Sequence, residues 1–133
     1  MSTSPTETVR IDERGKNQLI TLKRRTGIRH WNILCRWALC VSLAEPSRPP
    51  LQEPADMSNV EMSWSTFAGR NADLYTAMLM ARSVQDGLGT DRGTLSEQLR
   101  LHLHRGLTYL VGSDETKDLV GLANLAVRNY DQA

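Results

Sequence analysis

At 133 residues, with 40% hydrophobic and 23% charged side chains, the chain has the size and balance of one ordinary globular domain that buries a core without disulfides or metals. This excludes a disordered or an overall membrane protein, and the 5% aromatic content, with Leu, Ala, Met and Arg frequent in long stretches, favours helix over sheet. The net charge of +1 hides an asymmetry: residues 1–48 carry nine Lys or Arg against four Asp or Glu, and the rest seven against eleven. The basic part points to an anionic partner, the plainer alternative being attraction between the two halves of the molecule.

Residues 1–8 read as a flexible tail and residues 9–133 as a single helical domain, with a proline-rich internal loop over 45–59. Glu7 to Ile11 fits one short strand, Val9 and Ile11 sharing a face. Asp12 is a good N-cap and Glu13 a favourable first-turn acid for a helix running to Arg25. Leu19 and Leu22 form its packed side, with Ile20 at the margin, while Lys16 and Lys23, seven apart, share another face. Thr26-Gly27 ends it, Gly27 taking the left-handed position after three basic residues that complement the helix dipole.

A second helix begins after Arg29 or His30 and continues to about Ala44. It is apolar nearly all round, interrupted by Asn32, Arg36 and Ser42, so it is either central in its domain or covered by another subunit. We read it as oligomer-forming, through Trp31, Ile33, Leu34, Trp37, Leu39 and Val41.

Prolines 46, 49, 50 and 54 then bar helix, and Val60 to Trp64 fits a short extended piece. Asn71 or Asp73 opens a helix with the stripe Leu74, Met78 and Ala81 at i, i+4 and i+7 and Tyr75, Leu79 and Arg82 beside it. The glycine-rich turn Asp86–Gly93 lacks both a preceding strand and a Gly-Lys-Ser/Thr end, so it fails as a nucleotide cradle. Thr94 or Ser96 starts a helix that buries Leu95, Leu99, Leu103 and Leu110. Asp114-Glu115 opens the last, to about Tyr130, with Leu119, Leu122, Ala126 and Tyr130 inward. The expected architecture is all-α: a compact helical bundle with one or two very short strands at most and a helix-turn-helix-like or ribbon-helix-helix-like unit at its N-terminus.

Lys16, Lys23, Arg24, Arg25 and Arg29 are the strongest constellation, since cations clustered at a helix end contact several phosphates. With Trp31 the one aromatic nearby, backbone contact is expected over base readout. His102 and His104, two apart, point to opposite sides of a helix, so no metal is expected, and no cofactor. No catalytic residue is assigned. The candidates for a DNA-nicking or relaxing alternative are Tyr75 and Tyr109, as nucleophiles on phosphorus, and His104, as acid or base. Cys35 and Cys40 would diverge by about 140° on one helix and do not bridge each other. The first thirty residues hold no apolar signal segment, and Trp31 to Leu43 is too short to span a bilayer, so a cytoplasmic protein is expected.

The segments Lys23-Arg24-Arg25-Thr26-Gly27, Asn32 to Leu43, Phe67-Ala68-Gly69 to Leu74-Tyr75, and Leu101 to Leu110 (LHLHRGLTYL) make most of residues 9–111 resemble DndE, of the bacterial DNA phosphorothioation, or DNA sulfur modification, system. The resemblance implies a mostly helical homotetramer that binds DNA, nicked duplex in particular, through surface lysines. It also implies partners with cysteine desulfurase, iron–sulfur and ATPase-like character, which together replace a non-bridging phosphate oxygen by sulfur. This chain departs from a lysine-rich pattern: only Lys16, Lys23 and Lys117 are lysines among its sixteen Lys and Arg, leaving Arg14, Arg24, Arg25 and Arg29 to supply charge. The function read from the sequence is a DNA-binding accessory subunit. The alternatives are the nicking enzyme or a scaffold whose basic patch holds an acidic partner protein.

Overall fold

The computed structural model describes residues 4–53, 56–113 and 117–131. Its elements are β1 (Thr8–Asp12), α1 (Glu13–Thr26), α2 (Trp31–Ala44), β2 (Met57–Ser63), α3 (Trp64–Ala68), a 3-10 turn (Gly69–Asn71), α4 (Ala72–Gln85), α5 (Arg92–Gly112) and α6 (Leu119–Asp131). The protein is mainly helical, as the composition predicts. Its two extended pieces pair as an antiparallel ribbon, Val9 opposite Met62 and Arg10 opposite Glu61. Val9 and Ile11 are buried and Arg10 is exposed, the alternation expected of a half-buried strand. The N-terminal unit has the order strand, helix, helix, and its strand is partnered within the chain by β2. Pro5 is buried and Thr8 already belongs to β1, while β2 takes up residues 57–59 of the proline-rich segment.

Local chemistry sets the ends of α1. The Asp12 carboxylate accepts from the Gly15 amide at 2.7 Å, and Gly27, at φ 75°, donates its amide to the Lys23 carbonyl. Between these caps Gly15, Leu19, Leu22 and Thr26 turn inward.

The rod α2 is the centre of the bundle and lies chiefly against α5. Leu34, Cys35, Ala38, Leu39 and Ser42 of α2 are buried against Leu95, Leu99, Leu103, Leu107 and Leu110 of α5 and the rest of one core. Gly106 allows the close approach: a Cβ there would lie 1.7 Å from the Ala38 carbonyl oxygen. Asn32 and Arg36, which break the apolar run four residues apart, use their donors on the end of α3. Asn32 Nδ2 reaches the Thr66 carbonyl at 3.1 Å, and Arg36 donates to the carbonyls of Thr66 and Phe67.

Three expectations need correction. Leu34 and Leu39 are consumed by the protomer's own core, so they have no surface to give an oligomer contact. At 100° per residue the outward stripe of α2 is Ile33, Trp37, Cys40 and Ala44, which is half-buried at its start and exposed at its end. On α4 the inward face is Thr76, Leu79, Arg82 and Ser83, whereas Leu74 is 56% exposed and Ala81 is exposed. The rotation follows from Arg82, whose guanidinium finds five acceptors inside and carries the helix phase with it. At the C-terminus, Asp114-Glu115 lies outside the described residues, and α6 is capped by Asp118, whose carboxylate accepts from the Gly121 amide at 2.8 Å. Leu122 is buried there, but Leu119 is 52% exposed and Ala126 is exposed. The Tyr130 side chain is outside the described residues.

Candidate nucleic-acid interface

With Gly15, Leu19, Leu22 and Thr26 facing the core, the remaining residues of α1 fall on an outer ridge and two flanks. Lys16 and Lys23 occupy the flank beside the ribbon and α2. The Lys16 ammonium donates to Asn59 Oδ1 of β2 at 2.8 Å, and the Lys23 ammonium lies 5.1 Å from the centroid of the Trp31 ring, a cation–π contact. Glu13, Asn17, Ile20 and Arg24 form the outer ridge, all exposed. Arg29 is exposed in the turn that follows. Among the described residues, no carboxylate lies within ion-pair range of Lys16, Lys23, Arg24 or Arg29; the close pairs are Arg10–Glu61 and Arg82–Asp86. Glu13 is the single acid of α1, so the ledge keeps its positive charge.

Arg25 does not belong to this ledge. It is half-buried on the flank facing α5, and its Nη1 donates to the Val111 carbonyl at 2.9 Å. It braces α1 against the end of α5. Sequence spacing put it beside Arg24; the partner that turns it inward lies 86 residues away.

The three residues considered for chemistry are not brought together, and each has another role. His104 Nδ1–H donates to the Arg100 carbonyl at 2.9 Å, leaving Nε2 to accept from the Asp12 amide at 3.2 Å. The second contact fixes the tautomer, because a backbone N–H only donates. Nε2 also lies 3.5 Å from Asp12 Oδ1, but it makes no ion pair while it accepts the hydrogen bond of the Asp12 amide. His104 thus pins the β1–α1 junction to α5 and has no free nitrogen for acid or base work. Tyr75 packs on Phe67, ring centroids 6.0 Å apart. Burial, and after it the neighbouring Cys40, pushes its phenol up, against nucleophilic use. Tyr109 is partly exposed and stacks under Arg105, 5.6 Å from the guanidinium carbon. Cys35 is buried and Cys40 exposed, both free, and burial pushes the Cys35 thiol up to about 12.

A polar cluster that the sequence did not reveal locks the C-terminal end of α2. Arg82 donates to both oxygens of Asp86, at 3.1 and 3.0 Å, and to the carbonyls of Leu43, Pro46 and Ser47. Arg105 donates to the Ser42 hydroxyl and to the carbonyls of Ser42 and Ser47. Ser42 Oγ, which accepts from Arg105, also hydrogen-bonds His102 Nδ1, 2.8 Å away, and among the described residues His102 Nε2 is left buried without a partner. Burial, then the charges of Arg105 and Arg82, push His102 down to about 4.

The folded chain therefore holds His102 neutral, while the unfolded chain protonates it below about 6.5. Its contribution to stability is complete above that pH and is lost as the pH falls toward 4, by about 3 kcal/mol in all. Urea denaturation at pH 7 and pH 4.5 should show this loss in the native protein, with a clearly smaller pH difference in His102→Gln. Equal pH differences in the two proteins would contradict the assignment.

Residues 8–118 match the family model for DNA sulphur modification protein DndE, a span that runs from β1 to the residue capping α6 and includes the ledge, the rod and the lock. The chain belongs to the DndE family. Membership places this DndE-family protein in DNA sulphur modification, with DNA and the other modification proteins as its setting. No curated protein matches the chain. Among the described residues no helix is long and apolar enough to cross a membrane, and no three His, Cys, Asp or Glu converge to hold a metal ion.

Proposed function

We propose that this DndE-family chain is a cytoplasmic DNA-binding accessory subunit of the sulphur modification machinery, gripping the phosphate backbone of duplex DNA, nicked duplex in particular, without strong base readout. The observation that carries the reading is the ledge of Lys16, Lys23, Arg24 and Arg29, turned outward on and just after one helix and, among the described residues, free of carboxylate partners. Such cations release condensed counterions from the phosphates they contact, so affinity falls steeply with salt and depends little on sequence. The outward stripe of α2, Ile33 and Trp37 continuing into Cys40 and Ala44, joins copies of the chain, with Trp31 and Val41 on its flanks. A tetramer would repeat the ledge four times and multiply a modest single-site affinity.

The triple variant Lys23→Glu, Arg24→Glu, Arg29→Glu should bind nicked duplex at least about a hundredfold more weakly at moderate salt, with a shallower salt slope. Arg25→Gln should keep nearly full affinity, because its guanidinium serves the Val111 carbonyl. Fluorescence anisotropy with one labelled duplex measures both. Unchanged affinity in the triple variant would sink the assignment, and loss of an acidic protein partner with DNA binding intact would favour the scaffold.

A further inference from the structure

Ile20 is 45% exposed, whereas Leu19 and Leu22 of the same helix are at most 1% exposed. It belongs neither to the core nor to the half-buried residues packed on it. One helical turn away on either side are Lys16, Asn17, Lys23 and Arg24, so a single aliphatic side chain stands inside a ring of cations and an amide. Both lysines are drawn to one flank, Lys16 to Asn59 and Lys23 over Trp31. Ile20 stays exposed between them and Arg24 in the helical sequence.

Isolated surface hydrophobes are ordinary, but this one lies at the centre of the surface whose charge complements phosphate. We propose that Ile20 is a wedge that enters a base-pair step of the DNA held by those cations, an inference that rests on the reading of α1 as the phosphate-contacting face. The cations hold the phosphates flanking the step while the aliphatic crown covers the parted base faces. A wedge selects for ease of opening and not for base identity. Flexible pyrimidine–purine steps are favoured over stiff ones, and a step interrupted by a nick opens most readily because one strand no longer holds it closed.

The test uses the full chain with intact duplex, nicked duplex, and nicked duplex carrying 2-aminopurine beside the nick. The native protein should bind the nicked duplex more tightly than the intact one and brighten the 2-aminopurine as it unstacks. Ile20→Ala should lose the brightening and about five- to tenfold of affinity for nicked duplex, with the salt slope and the affinity for intact duplex unchanged. Ile20→Lys adds a cation, so it should bind intact duplex more tightly while still giving no brightening. Retained brightening or an unchanged nicked-to-intact ratio in Ile20→Ala overturns the wedge and leaves the phosphate-facing ledge standing. Absence of binding by the native protein overturns both. A changed hydrodynamic mass of free Ile20→Ala would make Ile20 a subunit contact and end the proposal.

Discussion

Gly106→Ala should be the most damaging single-methyl change in the protein, costing about 3 kcal/mol or more and leaving little folded material at 37 °C. The added Cβ would lie 1.7 Å from the oxygen, 2.3 Å from the carbon and 2.8 Å from the Cα of Ala38. These are backbone atoms of α2, and no rotamer change relieves the overlap. The two central helices would have to part, opening gaps along the Leu34, Leu39, Leu103 and Leu107 contact and pulling Arg105 from its acceptors on Ser42. In a solvent-exposed helix the same substitution is favourable by about 1 kcal/mol, so the sign of the effect reports the crossing directly. Gly112→Ala, in the same helix with nothing among the described residues within 4 Å of its Cβ position, is the control and should be neutral or stabilising. Urea denaturation of both variants settles the matter, and a Gly106→Ala midpoint at or above the native one would refute the close approach.

Arg82→Met should cost about 3–5 kcal/mol, the range for breaking a buried ion pair from one side. The Arg82 and Asp86 side chains are 6% and 5% exposed, with 3.0 Å between Nε and Oδ2. Removing the guanidinium leaves the Asp86 carboxylate buried without its ion-pair partner. It also takes the Arg82 donor from the carbonyls of Leu43 and Pro46 and leaves that of Ser47 to Arg105 alone, at the point where α2 hands over to the proline-rich segment. Lysine should not rescue the site, because a point charge does not reproduce a fork that serves three carbonyls and a carboxylate together. The double change Arg82→Met with Asp86→Leu should recover part of the loss by removing the stranded charge. A double variant no better than Arg82→Met alone, in thermal or urea unfolding, would show that the ion pair is not the source of the cost.

Where a boundary depends on chemistry within a few residues, the sequence revealed it. The Asp12 cap, the left-handed Gly27 and the start of α2 after His30 follow from residues adjacent to them, and the alternation of Val9, Arg10 and Ile11 gave β1. The phase of α4 was not legible, because the apolar positions Leu74, Met78 and Ala81 make an inward stripe on paper. What turns the helix away from it is an arginine whose acceptors lie 35 to 39 residues earlier in the chain, besides Asp86 nearby. The rod α2 was half legible: its apolar character allowed either a central helix or one covered by another subunit, and only packing against α5 separates Leu34 and Leu39, used internally, from Ile33 and Trp37.

The ledge shows the same division. Lys16, Lys23, Arg24 and Arg29 stay outward because, among the described residues, the side-chain contacts that hold them are Asn59, for Lys16, and the Trp31 ring, for Lys23. Arg25 was lost to a distant carbonyl that spacing does not announce. His104 looked available as an acid or base until both its nitrogens were accounted for by the Arg100 carbonyl and the Asp12 amide. Exposure of Ile20 among cations was the one feature of α1 that the amphipathic pattern placed at a margin and the fold made distinct.

The measurement that tests the account most directly is a crosslink map of the native protein on nicked duplex, with photoreactive groups spread along the phosphate backbone. The account predicts that attachments concentrate between Lys16 and Arg29, sparing Arg25, and fade together as salt is raised. Attachments gathered on α4 or α6, with none on α1, would contradict it.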